Sequence, residues 1–223
     1  MVTNYSQNNY IMLVGKVTSE KKFSHEIYGE SFYNFNLEIP RLSGISDIIP
    51  ITISERLIAN FDLNIGREVV IEGQFRSYNT YEESKSRLVL TVFAKEIRDR
   101  GEEEEIKIPN EVQLVGHICR KPIYRKTPFG REIADILVAV NRAYNKSDYI
   151  PCITWGRNAR FCEDMPIGTE LKLVGRVQSR PYEKKHEDGN IEKRTAYEVS
   201  ISSLEFVNKE EKIEEVTTTE EAM

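Results

Sequence analysis

The chain has 223 residues, 30% of them charged and 39% hydrophobic, with 31 Lys+Arg against 36 Asp+Glu for a formal net charge of −5. That length holds one large or two small domains, with a core big enough to need neither metal nor disulfide. The acidic total argues against a simple polycation, and no segment approaches the roughly 20 apolar residues of a membrane span. Cys119, Cys152 and Cys162 form no CxxC pair, so a disulfide scaffold and a four-cysteine zinc site are not expected. With no basic-then-apolar leader at the start, a reducing, cytoplasmic setting is the natural reading.

Taken from the first residues, Asn9-Tyr-Ile-Met-Leu-Val-Gly15-Lys-Val17 reads as a strand, and it returns 101 positions later as Asn110-Glu-Val-Gln-Leu-Val-Gly116-His-Ile118. The same offset pairs Gly29 with Gly130, Phe35/Leu37/Ile39 with Ile136/Val138/Val140, Arg41 with Arg142, Asp47 with Asp148, and Pro50 with Pro151. After one inserted residue, Ile65-Gly66-Arg-Glu68 through Gly73 pairs with Ile167-Gly168-Thr-Glu170 through Gly175. A larger insertion of about seven residues then aligns Leu88/Leu90/Val92 with Tyr197/Val199/Ile201, and Ile97 with Phe206. The chain is therefore one unit of roughly 97 residues written twice. The expected division is 1–97, an acidic linker at 98–109 containing Gly101-Glu-Glu-Glu-Glu105, a second unit at 110–207, and an acidic tail at 208–223. Linker and tail are too polar to pack and are expected to be flexible.

Inside each unit the apolar residues alternate in short runs. Val112/Leu114/Ile118, Ile136/Val138/Val140, Ile150/Cys152, Leu171/Leu173/Val177 and Tyr197/Val199/Ile201 predict five half-buried strands. Gly15, Gly73, Gly116 and Gly175 sit inside these patterns, where glycine marks a bulge or a sharp bend. Short helices are expected over 56–63 and 157–165, stopped by Gly66 and Gly168. Five strands with a helix between the third and fourth is the layout of the OB-fold, so the expected class is all-β with two tandem five-stranded barrels.

Asn110-x-x-x-Leu-Val-Gly116, Gly130, Ile136-Leu-Val-Ala-Val-Asn-Arg142, Asp148-x-Ile-x-Cys-Ile-Thr-Trp-Gly156, Ala159, Gly168, Val174-Gly-Arg-Val-Gln-Ser-Arg180 and Tyr197-Glu-Val199 resemble the bacterial single-stranded DNA-binding protein family. The resemblance covers nearly all of repeat 2 and, in repeat 1, the scaffold alone. It implies a non-enzymatic, sequence-nonspecific binder that coats unwound strands in replication, recombination and repair. It also implies a homodimer with four OB-folds per particle, and a nucleoid-associated, cytoplasmic location.

Such binding needs aromatic rings for bases and a basic groove for phosphates. Tyr149 and Trp155 are six apart on one strand, hence on one side and about 20 Å apart. By the alignment, they fall with Tyr144 and Tyr182 at or near the positions where the family stacks bases. Arg142, Arg157, Arg180, Lys184, Lys185, Lys193 and Arg194 are the nearby cations, and Arg120, Lys121, Arg125 and Lys126 add a basic stretch. Any one of these is also an ordinary surface residue; the set carries the reading.

Repeat 1 has Ser43, Ile48 and Ser54 where repeat 2 has Tyr144, Tyr149 and Trp155, and only Tyr78 or Tyr81 could stand in for Tyr182. It is expected to keep the barrel, contact DNA weakly and serve assembly. Tyr28, Phe32 and Tyr33 near its first hairpin read as hairpin packing or as a second stacking surface. The tail holds six Glu and two Lys, fitting an acidic tail that recruits repair and replication proteins, but it ends Thr219-Glu-Glu-Ala-Met223, without the family's Pro-Phe tip. No His/Cys spacing suggests a metal site or triad and no GK[ST] phosphate loop is present, so no cofactor and no enzyme activity are expected. A second class stays open: a replication or restart accessory protein whose OB-folds mainly hold protein partners.

Overall fold

The computed structural model describes residues 8–82, 85–101, 107–185 and 189–207. The first seven residues, the Glu run of the linker, His186 and the whole tail after 207 lie outside them. In chain order the elements are β1 (Asn9–Val17), β2 (Lys22–Ile27), β3 (Glu30–Pro40), β4 (Ser46–Ser54), α1 (Glu55–Ile58), β5 (Glu68–Glu82) and β6 (Lys85–Asp99). The second set is β7 (Asn110–Ile118), β8 (Ile123–Lys126), β9 (Glu132–Arg142), β10 (Lys146–Trp155), α2 (Gly156–Cys162), β11 (Glu170–Lys185) and β12 (Ile191–Phe206).

In each set five strands close on themselves. β1 pairs β3 and β5, β3 pairs β4, β4 meets β6 in a short parallel contact, and β6 pairs β5. The second ring runs β7–β9–β10–β12–β11 and back to β7 in the same way. Both are OB-fold barrels, as the alternation predicted. The structure adds one short edge strand to each, β2 on β3 and β8 on β9.

Closure requires one strand to serve two partners. β1 stays on β5 as far as Lys16 and takes up β3 on its other edge at Lys16 and Val17; beside this junction a Cβ on Gly15 would collide with the Glu38 carbonyl oxygen, and Gly116 repeats this against Ala139. Gly73 and Gly175 sit at register shifts opposite Ala94 and Ile201. These shifts correct the sequence alignment of the last strand. Leu90/Val92/Ala94, not Leu88/Leu90/Val92, correspond to Tyr197/Val199/Ile201, and Ile97 corresponds to Leu204 rather than Phe206. A slip of two residues keeps every side chain on its face, so alternation could not detect it.

The helices are shorter than expected, ending at Ile58 and Cys162. Single turns follow, Phe61 N to Ile58 O at 3.3 Å and Met165 N to Cys162 O at 3.2 Å. In repeat 2 Pro166 turns its predecessor away from helix. Ile58, Ala159, Cys162 and Met165 still plug the barrel ends.

The two barrels form one twelve-stranded sheet through an antiparallel β1–β7 ladder, Asn9 opposite Leu114 and Leu13 opposite Asn110. Because Asn9 corresponds to Asn110 and Leu13 to Leu114, this ladder maps onto itself under a two-fold exchange of the repeats. Ile11 to Leu13 pair with β5 and β7 at once, whereas Asn9 and Tyr10 pair with β7 and lie beyond the β5 ladder. Asn9 spans the gap with its side-chain amide, donating to Phe75 O at 2.7 Å and accepting from Phe75 N at 2.8 Å. Asn110 does the same with Val177 at 2.7 and 2.9 Å. That is the physical reason each repeat opens on Asn: buried main-chain groups must find partners.

Candidate nucleic-acid interface

Paired residues of an antiparallel sheet point to one side, so the outer face of the second barrel follows from the register. Its first row runs Arg125–Ile133–Trp155 across β8, β9 and β10. The next is Asp135–Ile153–Ser200–Arg176, crossing to β12 and β11. Then come Leu137 and Pro151 with Glu198 and Gln178, and after them Ala139 and Tyr149 with Ala196 and Arg180. Beyond the barrel, the β11–β12 ribbon continues the same side with Tyr182 opposite Arg194 and Lys184 opposite Glu192.

Six of the sequence-predicted residues therefore share one face: Trp155, Tyr149, Arg180, Tyr182, Lys184 and Arg194. Trp155, Tyr149 and Tyr182 are 42%, 45% and 38% exposed, half open for rings that the barrel interior does not need. Tyr144 stands at the tip of the β9–β10 turn with positive φ, off the sheet. Arg157 lies in the first turn of α2, two residues past Trp155. Lys185 and Lys193 alternate to the opposite side of the ribbon. Arg142 turns away from the outer face and pairs with the buried Asp148, Nη1 to Oδ1 at 3.3 Å.

Some of the cations are already engaged. Arg180 lies 3.8 Å from Glu198, which also accepts from Gln178 at 2.8 Å. Arg194 pairs with Glu192 at 2.7 Å. Arg125 holds Asp135 at 2.9 Å. Arg176, Glu198 and Arg125 also stand on this face, and of these only Arg125 is among the basic residues singled out from the sequence. The alternation Arg176-Gln178-Arg180-Tyr182-Lys184 was visible, but Arg125 needed β8, which the apolar pattern did not show. Glu198 is an acidic group in the middle of a basic face.

The three cysteines are free thiols. Burial raises the Cys152 thiol and pushes Cys162 up to about 11, so both stay protonated and unreactive at neutral pH. Among the described residues no group of three His, Cys, Asp or Glu could hold a metal ion, and no helix is long and apolar enough to cross a membrane.

Two barrels of this topology with outward aromatic and cationic side chains define an OB-fold binding protein. The model of the single-strand binding protein family matches residues 109–207. The chain is 35% identical over 107 residues to the single-stranded DNA-binding protein of Oceanobacillus iheyensis, covering 44% of this chain and 63% of that one. With the Clostridium tetani protein of the same name it is 32% identical over 105 residues, 44% of this chain and 70% of that one. The chain thus belongs to the single-strand binding protein family. It spans 63%, 64% and 47% of the first three curated relatives it matches. Over 90% of this chain, the single-stranded DNA-binding protein from Thermus aquaticus shares the fold at TM-score 0.69 and 21% identity, with 93% of that chain covered. The N-terminal domain of a PriB protein from Thermoanaerobacter tencongensis is 52% identical over 43% of this chain and 100% of that chain, at TM-score 0.38.

Proposed function

We propose that the chain binds single-stranded DNA without sequence preference and acts on unwound strands in replication, recombination and repair, with 110–207 as its main binding unit. The observation that carries this reading is the shared face of Trp155, Tyr149 and Tyr182 with Arg180, Lys184 and Arg194. Rings offer every base a stacking surface, and fixed cations replace the counterions around phosphates. The names of the relatives support the same ligand. Arg142, held in the seam, acts on the strand through position rather than direct exposure, whereas Arg157 and Tyr144 extend the site at its two ends. Lys185 and Lys193 add field from the far side of the ribbon. A homodimer with four barrels and a non-enzymatic, cytoplasmic, nucleoid-associated role complete the proposal. Recruitment of repair proteins would belong to the acidic tail, outside the described residues.

The test is titration of the single tryptophan with oligo(dT). Quenching, together with retention on immobilised single strands that weakens as salt rises, is the expected result. No quenching and no retention would favour a restart accessory protein that holds protein partners. Mass in solution, with and without a long oligonucleotide, checks the dimer.

A further inference from the structure

The outer face of the first barrel is not blank; its rings have moved. At the position of Ile133 stands Phe32, and at the position of Ser200 stands Phe93, as the registers of β3 with β4 and β4 with β6 show. Gln178 is replaced by Arg76, and Arg180 by Tyr78. Where Arg125 flanks Ile133, His25 flanks Phe32. These groups touch. His25 stacks on Phe32 with centroids 4.9 Å apart and planes 9° from parallel. Phe32 meets Phe93 at 5.7 Å, and the Arg76 guanidinium lies over Phe93 at 4.9 Å. Tyr78 is 46% exposed beside them. All face away from the barrel interior and lie outside its apolar cluster; Phe32 is 8% exposed beneath His25 and Phe93, which leaves Phe93 and Tyr78 as the rings with open surface.

The cluster also continues the interface of the second barrel. Ser77, between Arg76 and Tyr78, accepts a hydrogen bond from Tyr149 N at 2.7 Å. β5 of the first barrel thus abuts the strand that carries Tyr149 and Trp155.

We propose that Phe93, Arg76 and Tyr78, with Phe32 buried behind Phe93 as support, form a second stacking site for unpaired bases, with Arg76 serving ring and phosphate together, and that a strand leaving Tyr149 crosses the seam onto it. This rests on the single-strand reading of the second barrel and extends it to the first. Aromatic rings with an adjacent guanidinium are the chemistry that holds bases irrespective of sequence.

The test uses the full chain and two oligo(dT) lengths, about 8 and about 35 nucleotides, because one OB-fold occupies about 4–16. The variants carry the second barrel's own residues, Phe93→Ser and Arg76→Gln. The expected result is unchanged quenching of Trp155 by the short oligonucleotide in Phe93→Ser, with affinity for the long one down about tenfold. Arg76→Gln should also flatten the salt dependence for the long one. A 5-iodouracil-substituted long oligonucleotide should crosslink within residues 88–98. Wild-type affinity for the long oligonucleotide in both variants, without that crosslink, overturns the second site alone. A wild-type chain that binds neither length overturns this inference and the single-strand reading together.

Discussion

The two seams between the barrels use the same residues, an Arg–Asp pair from one repeat and a Ser from the other, yet they are satisfied differently. Asp47 accepts from Arg41 through both carboxylate oxygens, and from Ser179 N at 2.6 Å and Ser179 Oγ at 3.1 Å. Arg41 also donates to Ser179 O at 3.0 Å. Asp148 accepts from Ser77 N at 2.8 Å and from Arg142 at 3.3 Å, both on Oδ1. Its Oδ2 is buried with no hydrogen-bond partner among the described residues. Arg76 stands near the second seam in place of the neutral Gln178, and its charge adds to that of Arg142 in favouring the Asp148 carboxylate. Burial would raise both carboxyls. At Asp47 the hydrogen bonds of Arg41 and Ser179 outweigh it and hold the group below the usual range; at Asp148 burial wins. The two repeats therefore keep the same seam residues but satisfy them unequally.

The sharpest way to break this comparison is Asp47→Asn. It leaves Arg41 in a mostly buried site without its charge partner and should cost about 3 kcal/mol in urea denaturation at pH 7. Asp148→Asn should cost clearly less, because burial already weighs against the Asp148 charge and its pairing with Arg142 is looser. Equal losses in the two variants would show that the seams are equivalent.

The pH dependence has opposite signs. Asp47, lowered on folding, supplies stability above the ordinary carboxylate range, which is lost as pH falls through its folded value. Asp148, raised on folding, supplies it below that range, and loses it as pH rises through its folded value. Denaturation from pH 3 to 7 should therefore show the Asp47→Asn deficit shrinking toward acid. In the same series the smaller Asp148→Asn deficit should grow toward acid.

On the binding side, Trp155→Ala should weaken single-strand affinity by about 1–3 kcal/mol, read by anisotropy of a labelled oligonucleotide. Ser54 occupies that position in the first barrel and caps α1, accepting from Arg56 N at 3.1 Å, so Ser54→Ala should cost stability there rather than affinity. Glu198→Gln should raise affinity by about 0.5–1 kcal/mol and steepen its salt dependence, because Arg180 gains freedom to meet phosphate. The smallest effect belongs to Lys193→Ala, on the back of the ribbon, against a larger loss for Lys184→Ala on the front. A reversed order would remove the face assignment.

Much of this was readable in advance. The repeat, the barrel class, the bends at Gly15 and Gly116, and the common side of Tyr149 and Trp155 follow from spacing and residue type; Tyr182 is singled out by the family resemblance. In the first barrel Phe32 and Tyr78 stand out in the sequence as candidate rings, whereas Phe93 and Arg76 do not, because the matching positions of the second barrel, Ser200 and Gln178, hold neither ring nor charge. Phe93 and Arg76 lie on the paired strands β5 and β6, diagonal to one another beside the Gln74–Phe93 pair, so their contact depends on a register that alternation does not fix.

By itself, the sequence determined the alternation, the doubling and the residue types on each strand, because these are local properties of a period-two pattern and a fixed offset. Only the tertiary structure decided the register of the last strand, the antiparallel β1–β7 ladder and the unequal seams. The register turns on the shifts at Gly73 and Gly175 between paired strands, and the ladder and seams are contacts between segments distant in the chain, chosen by the need of buried amides and carboxylates for partners, conditions that no single segment carries.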